Sequence, residues 1–268
     1  MTPFRSGGLL AGAAGLAVSL AGIVRPQLYG RVLDPAMAPG VLSQDLVSAF
    51  VGLGLLGLML WPVRRPVAQW GLVMGMLWYL FYAYGLYVIE RLYTGWYLVY
   101  MVIMGVCFYT LAWGVGTMGR MVPGRLELAR PYRRLAAGVC LFSPLLFYPL
   151  WTVQLLELMA GGIRPDHYYG VYILDMVFVL PAYVAGAMLV LTGRREGLIL
   201  VPALCVKGFT LLFSVGLSVM LTRWSGGSAF LGEGALYVLL AAGFLGLLVV
   251  HLKQLREESS AEEPVQGE

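Results

Sequence analysis

Charge is scarce in this chain. Asp, Glu, Lys and Arg make up 12% of its 268 residues, about half the share found in soluble domains, while 60% are hydrophobic and the mean hydropathy is +0.80. A water-exposed globular surface is excluded. Histidine and cysteine are nearly as rare, at two and three residues. Cys107, Cys140 and Cys205 all fall inside apolar segments and form no Cys-x-x-Cys pair, so they read as small core residues without disulfide or zinc chemistry. His167 and His251 fall at opposite ends of the apolar segments, which excludes a multi-histidine haem or metal set. His251 reads as a helix C-terminal residue favoured by the helix dipole. There is no Ser/His pairing, no metal-ligand spacing and no Gly-rich phosphate loop after a strand. The expectation is no catalytic residue, no metal and no cofactor.

What the chain has in quantity is long apolar runs. Runs of 18 or more such residues mark membrane-spanning helices, because lipid offers no partner to backbone N–H and C=O groups and a helix satisfies them internally. Eight are present: 7–24, 41–62, 67–89, 94–115, 135–158, 168–192, 196–221 and 231–252. The predicted fold is all-α, an integral membrane bundle of eight transmembrane helices forming a single domain over 1–252. The longest connections, 25–40 and 116–134, are too short to bury a core. The tail 253–268, "KQLREESSAEEPVQGE", is polar, acidic and without apolar periodicity, and reads as a disordered cytoplasmic tail.

Positive residues set the orientation, since positive loops resist translocation. Twelve Lys and Arg fall on the side of the N-terminus (Arg5, Arg64, Arg65, Arg120, Arg125, Arg130, Arg133, Arg134, Arg194, Arg195, Lys253 and Arg256). Five fall opposite: Arg25, Arg31, Arg91, Arg164 and Arg223. Both termini are therefore expected in the cytoplasm, with the chain multipass in a plasma (inner) membrane. The net charge of +4 fits a basic cytoplasmic face beside anionic lipid and calls for no nucleic acid. The lipid bilayer is the expected partner, and other membrane subunits or a homo-oligomer stay open. The first segment, Arg5 then "GGLLAGAAGLAVSLAGIV", has two readings, a retained helix or a secretory signal peptide. Its 18 apolar residues favour the helix.

Ionisable residues inside these runs are the candidates for function, because a charge in the membrane is costly and is usually turned inward and paired. Asp45 precedes Arg64-Arg65 by 19 residues, and Asp175 precedes Arg194-Arg195 by the same 19. The shared offset of 130 maps helices one to four onto five to eight, with weak identity. It raises two parallel four-helix repeats, 7–115 and 137–245, related by a pseudo-two-fold axis along the membrane normal. At 1.5 Å per residue each aspartate sits about 28 Å from its arginines, near the outer edge of the hydrocarbon layer. Lys207, 11 residues after Glu196, is about 16 Å in and close to the midplane. Its insertion cost of about 2.5–3.5 kcal/mol calls for a partner, and Asp175 on the preceding helix is the candidate.

Gln44 beside Asp45, Glu90-Arg91 in "YVIERLYTGW", Arg164, Asp166 and His167 in "GGIRPDHYYG", and Glu233 in "FLGEGALY" collect on the same outer side. Glu90-Arg91 and Arg164-Asp166 also fit solvated loops. The expected ligand- or ion-binding set is Asp45, Asp175, Lys207, Gln44, Glu90, Arg91 and Glu233. Aromatic crowding over 78–101 fits an interfacial belt, with Trp78, Tyr79, Tyr82 and Tyr84 deeper and in need of hydrogen-bond partners.

"SQDLVSAFVGLGLL", "LWYLFYAYGLYV", "YILDMVFVLPAYVAGAMLVLTGRREG" and "LVPALCVKG" are similar to stretches in a group of uncharacterised bacterial multipass membrane proteins. The resemblance covers about half the chain and implies a prokaryotic inner membrane, with no activity to carry over. Three classes remain from the sequence. The leading one is small-solute or ion/proton transport through an outward-facing polar site. The alternatives are a membrane-embedded accessory subunit or sensor, and an intramembrane enzyme acting on a lipid or quinone with Asp175 and Lys207 as acid and base. The enzyme has the least support.

Overall fold

The computed structural model describes residues 2–61, 65–122, 125–162, 169–228 and 231–258. The eight apolar runs are all present as helices long and apolar enough to cross a membrane. In chain order they are α1 (Pro3–Val24), α2 (Ala38–Leu60), α3 (Pro66–Ile89), α4 (Tyr97–Met121), α5 (Arg130–Gly161), α6 (Tyr169–Leu191), α7 (Arg195–Trp224) and α8 (Leu231–Gln254). Several outrun their apolar cores, α5 by a full turn of arginines at its start. Backbone bonding continues into the interface, where charged side chains meet water.

Local chemistry sets many of the boundaries. Proline occupies the first turn of α1, α2, α3 and α5, where its missing N–H has no intrahelical partner to lose. The Thr2 side chain accepts from Arg5 N–H and caps α1. Gly162, at φ +61°, closes α5, and Gly193, at φ +69°, makes the turn from α6 to α7, both in the left-handed region that favours glycine.

α3 and α7 form the centre of the bundle and pack against each other. Around them α1 packs on α2 and α4, α2 on α3 and α7, α3 on α4, α5 on α6, α6 on α7, and α7 on α8. Small residues permit the closest crossings, the usual solution where lipid removes any hydrophobic drive between helices. A Cβ on Gly52 would lie 2.9 Å from Gly12 O, and one on Gly12 would lie 3.1 Å from Gly52 O. The α1–α2 backbones therefore touch.

On the arginine-rich face, a short strand β1 (Arg125–Glu127) pairs antiparallel with β2 (Arg256–Glu258), setting Arg125 opposite Glu258 and Glu127 opposite Arg256. This departs from a tail read as structureless from 253 onward. α8 runs to Gln254, and the next residues add a backbone ladder to the α4–α5 connection. Arg65 donates to Leu252 O (3.2 Å) on the same face, so the α4–α5 connection, the start of α3 and the end of α8 meet there. Residues 259–268 lie outside the described residues.

Candidate functional site

Asp45, Tyr82 and Asp175 lie at one level, each six or seven residues from the end of its helix and so about 10 Å below the face opposite the arginines. Lys207 starts lower, 12 residues into α7, about 18 Å from its basic end. These groups form two separate arrangements.

The first is closed. Asp45 is 1% exposed and both its oxygens are occupied: Tyr29 donates to Oδ2 at 2.7 Å and Tyr87 to Oδ1 at 3.0 Å. Tyr29 comes from the α1–α2 connection. Burial, and then the neighbouring Asp45, push its phenol far above the ordinary range, which keeps it protonated as a donor. Gly22 makes room, because a Cβ there would strike both Asp45 Oδ2 and the Tyr29 hydroxyl. Tyr87 packs against Tyr84 and Tyr100. The Tyr84 hydroxyl meets Ser19 (2.9 Å) and donates to Gly15 O (2.9 Å), while Gln44 donates to Ala83 O (2.9 Å). This network pins α1, α2 and α3 together and leaves no carboxylate oxygen open.

The second arrangement is open. Asp175 is 8% exposed; Trp151 Nε1 of α5 donates to its Oδ2 at 3.1 Å, and its Oδ1 is buried with no hydrogen-bond partner. A buried carboxylate oxygen left so is costly. Lys207, 1% exposed, places Nζ 4.3 Å from the centre of the Tyr82 ring, a cation–π seat. Lys207 lies within electrostatic reach of Asp175, and the Tyr82 hydroxyl stands close enough to interact with the same carboxylate without closing a hydrogen bond on Oδ1. Asp175 and Lys207 are electrostatically coupled without a direct bridge: the ammonium rests on Tyr82 and forms no ion pair with the carboxylate.

The backbone at Asp175 is special for a readable reason. Residues Asp175–Val179 form a π-helical stretch in which Leu180 N–H bonds to Asp175 O, five residues back. Pro181 follows, and with no N–H it cannot continue the ordinary ladder to Val177. The widened turn leaves Met176 O free of its usual partner, and Tyr148 of α5 donates to it at 3.4 Å. Tyr172 donates to Gln154 of α5 at 2.9 Å. Tyr148, Trp151 and Gln154, spaced by three on α5, thus form the wall facing the bulge. Such single-turn bulges are frequent at functional sites.

The remaining candidates lie elsewhere. Glu90, at the end of α3, accepts from Gly170 N–H at 2.6 Å and so satisfies the start of α6, where a carboxylate is favoured; the sequence had suggested a solvated loop. Arg91 is exposed at φ +56°, and Glu233 is exposed in the first turn of α8. Arg164, Asp166 and His167 lie outside the described residues. His251 lies in the last turn of α8, as expected, and is fully buried there, with Nε2 3.0 Å from Leu198 O and Nδ1 unpartnered.

Sequence reasoning missed Tyr29 and Trp151, the decisive partners of the two aspartates. Only the approach of a connection and of a neighbouring helix brings them in. No group of three or more His, Cys, Asp or Glu capable of holding a metal ion occurs among the described residues. The open acceptor at Asp175 is one carboxylate oxygen, which suits a proton or a singly charged cation.

The eight apolar helices have the architecture of a multipass membrane protein. Comparison with known proteins finds no matching family model, no similar curated protein and no similar solved structure.

Proposed function

We propose that this protein moves protons or a small cation across the membrane, with Asp175 as the exchanging carboxylate and Lys207 as its built-in counter-charge. The observation that carries the reading is the unpartnered Asp175 Oδ1 beside an ammonium held on Tyr82 instead of in an ion pair. A fully satisfied pair would be a structural element. An open acceptor and a mobile donor give two states, in which the carboxylate holds either the incoming cation or Lys207.

The arrangement of the helices supports a parallel duplication. The α1–α2, α2–α3 and α3–α4 contacts have counterparts in α5–α6, α6–α7 and α7–α8, α3 meets α7 at the centre, and the α2–α7 contact is answered by α3 against the first turns of α6. The halves are not identical: α1 packs well on α4, whereas α5 barely touches α8, and α3 meets α6 less extensively than α2 meets α7. On this reading Asp45 and Asp175 are equivalent positions. The first has become a structural tie and the second has kept an open oxygen.

The test is flux into liposomes. Purified protein is reconstituted with a pH-sensitive dye or a potassium or sodium indicator inside, and an ion gradient is imposed. Flux above protein-free vesicles is expected, lost in Asp175→Asn and retained in Asp45→Asn. Equal loss in both variants, with both folded, would remove the special role of Asp175.

A further inference from the structure

α5 is 32 residues long and carries two prolines in its interior, Pro144 and Pro149. Lacking an N–H, neither bonds the carbonyl four residues back, which takes Cys140 O and Leu145 O out of the helical ladder and makes this stretch the place where the helix bends. The halves on either side of it are packed differently. Ala136, Ala137, Cys140 and Pro144, the buried residues of α5, all lie in the first half, and none of residues 145–161 is buried. Over its whole length α5 packs on α6 and barely touches α7 or α8. Its second half, from Pro149 to Gly161, is thus an arm about 20 Å long with no buried anchor of its own.

What holds the arm is a short row of polar bonds, all to α6 and all around the bulge at Asp175. Tyr148, just ahead of Pro149, donates to Met176 O, Trp151 donates to Asp175 Oδ2, and Gln154 accepts from Tyr172. The Trp151 ring also stands edge-on to Tyr172, with centroids 5.3 Å apart. The other side of the arm is apolar: Leu150, Val153, Leu156 and Met159 are exposed. Lipid tails are as apolar as these side chains, so lipid covers that side at any angle of the arm.

We propose that the second half of α5 is a hinged gate over Asp175. It turns about Pro144 and Pro149, lifts Trp151 from the carboxylate and opens the site toward the face opposite the arginines, while the first half stays packed. With the arm down, Trp151 holds Oδ2 and Lys207 rests on Tyr82; with it up, both carboxylate oxygens are free for an incoming cation. The gate is a two-state element of the kind that hinge closure uses. What passes it rests on the transport reading above, whereas the hinge rests on the packing of α5.

Pulsed electron paramagnetic resonance in lipid nanodiscs reads the hinge without any transport. Spin labels are placed on Leu156→Cys in the arm and Arg223→Cys in the last turn of α7, in a background lacking Cys107, Cys140 and Cys205. Trp151→Phe keeps a ring and deletes its donor, and it is expected to raise the population at the longer distance by about tenfold, the scale of one bond to a charged oxygen. A second pair, Leu135→Cys with Arg120→Cys, lies ahead of the prolines and should not move. Gln154→Leu makes the same comparison if Trp151→Phe does not fold. In the liposome assay, a reducible thiol cross-linker joining Gln154→Cys to Tyr172→Cys should stop flux, and reduction should restore it. A distance unchanged in both arm variants, or flux that continues through the cross-linked protein, would overturn the gate. A shifted distance in a protein that carries no flux in any form supports the hinge and counts against the transport reading instead.

Discussion

The Lys207 ammonium lies 4.3 Å from the centre of the Tyr82 ring, while Asp175, within its electrostatic reach, keeps one oxygen without a partner. An ammonium and a carboxylate buried so near each other without an ion pair are held apart by what each touches: an aromatic face for one, Trp151 for the other. Removing one charge of a buried pair typically costs about 3–5 kcal/mol, because the survivor is left uncompensated. Asp175→Asn and Lys207→Met should each lower stability in detergent by that order, and the double variant by less than their sum. Thermal unfolding of the four proteins checks this; strict additivity would uncouple the residues.

Tyr82 is expected to act through its ring. Tyr82→Phe keeps the face on which Lys207 rests, whereas Tyr82→Leu removes it, at a cost of about 2 kcal/mol for a desolvated cation–π contact. Similar melting temperatures for the two variants would show that the ring does not hold the ammonium.

Asp45 should behave as a structural tie. Tyr29→Phe and Tyr87→Phe each remove one hydrogen bond to a charged oxygen, worth about 1.5–3 kcal/mol. Both should destabilise the protein while leaving liposome flux per folded molecule intact. A flux defect without a stability defect would move Asp45 into the functional site.

The π-helical stretch sets the rotation of Asp175. Deleting Val177, which is exposed, removes the extra residue of the wide turn and turns the start of α6 by about 100° relative to its remainder. Flux should be lost in a protein that still elutes as a single species. Retained flux would show that the bulge is dispensable.

Orientation can be read with single cysteines at positions 125 and 226, in a background lacking Cys107, Cys140 and Cys205. An impermeant maleimide added to intact cells should label position 226 and spare position 125, because most of the positive charge lies on the side of 125. The reverse pattern inverts the topology.

The sequence by itself determined the class of architecture. Eight apolar runs in a chain with 12% charge leave helices as their means of satisfying backbone groups in lipid, and that rule is local and one-dimensional. It also singled out Asp45, Asp175 and Lys207, because a charge inside such a run stands out without any knowledge of its neighbours. Tertiary structure alone decided what these residues touch. The 130-residue offset makes Asp45 and Asp175 look alike, yet Tyr29 and Tyr87 close one, while Trp151 occupies only half of the other. Those partners come from a connection and from separate helices, and no periodicity records which helix face meets which. The same holds for β2, whose ladder to β1 joins residues more than 120 apart through backbone groups that every residue carries. Pairing of that kind depends on where the ends of α4, α5 and α8 come to lie, and so only the folded chain specifies it.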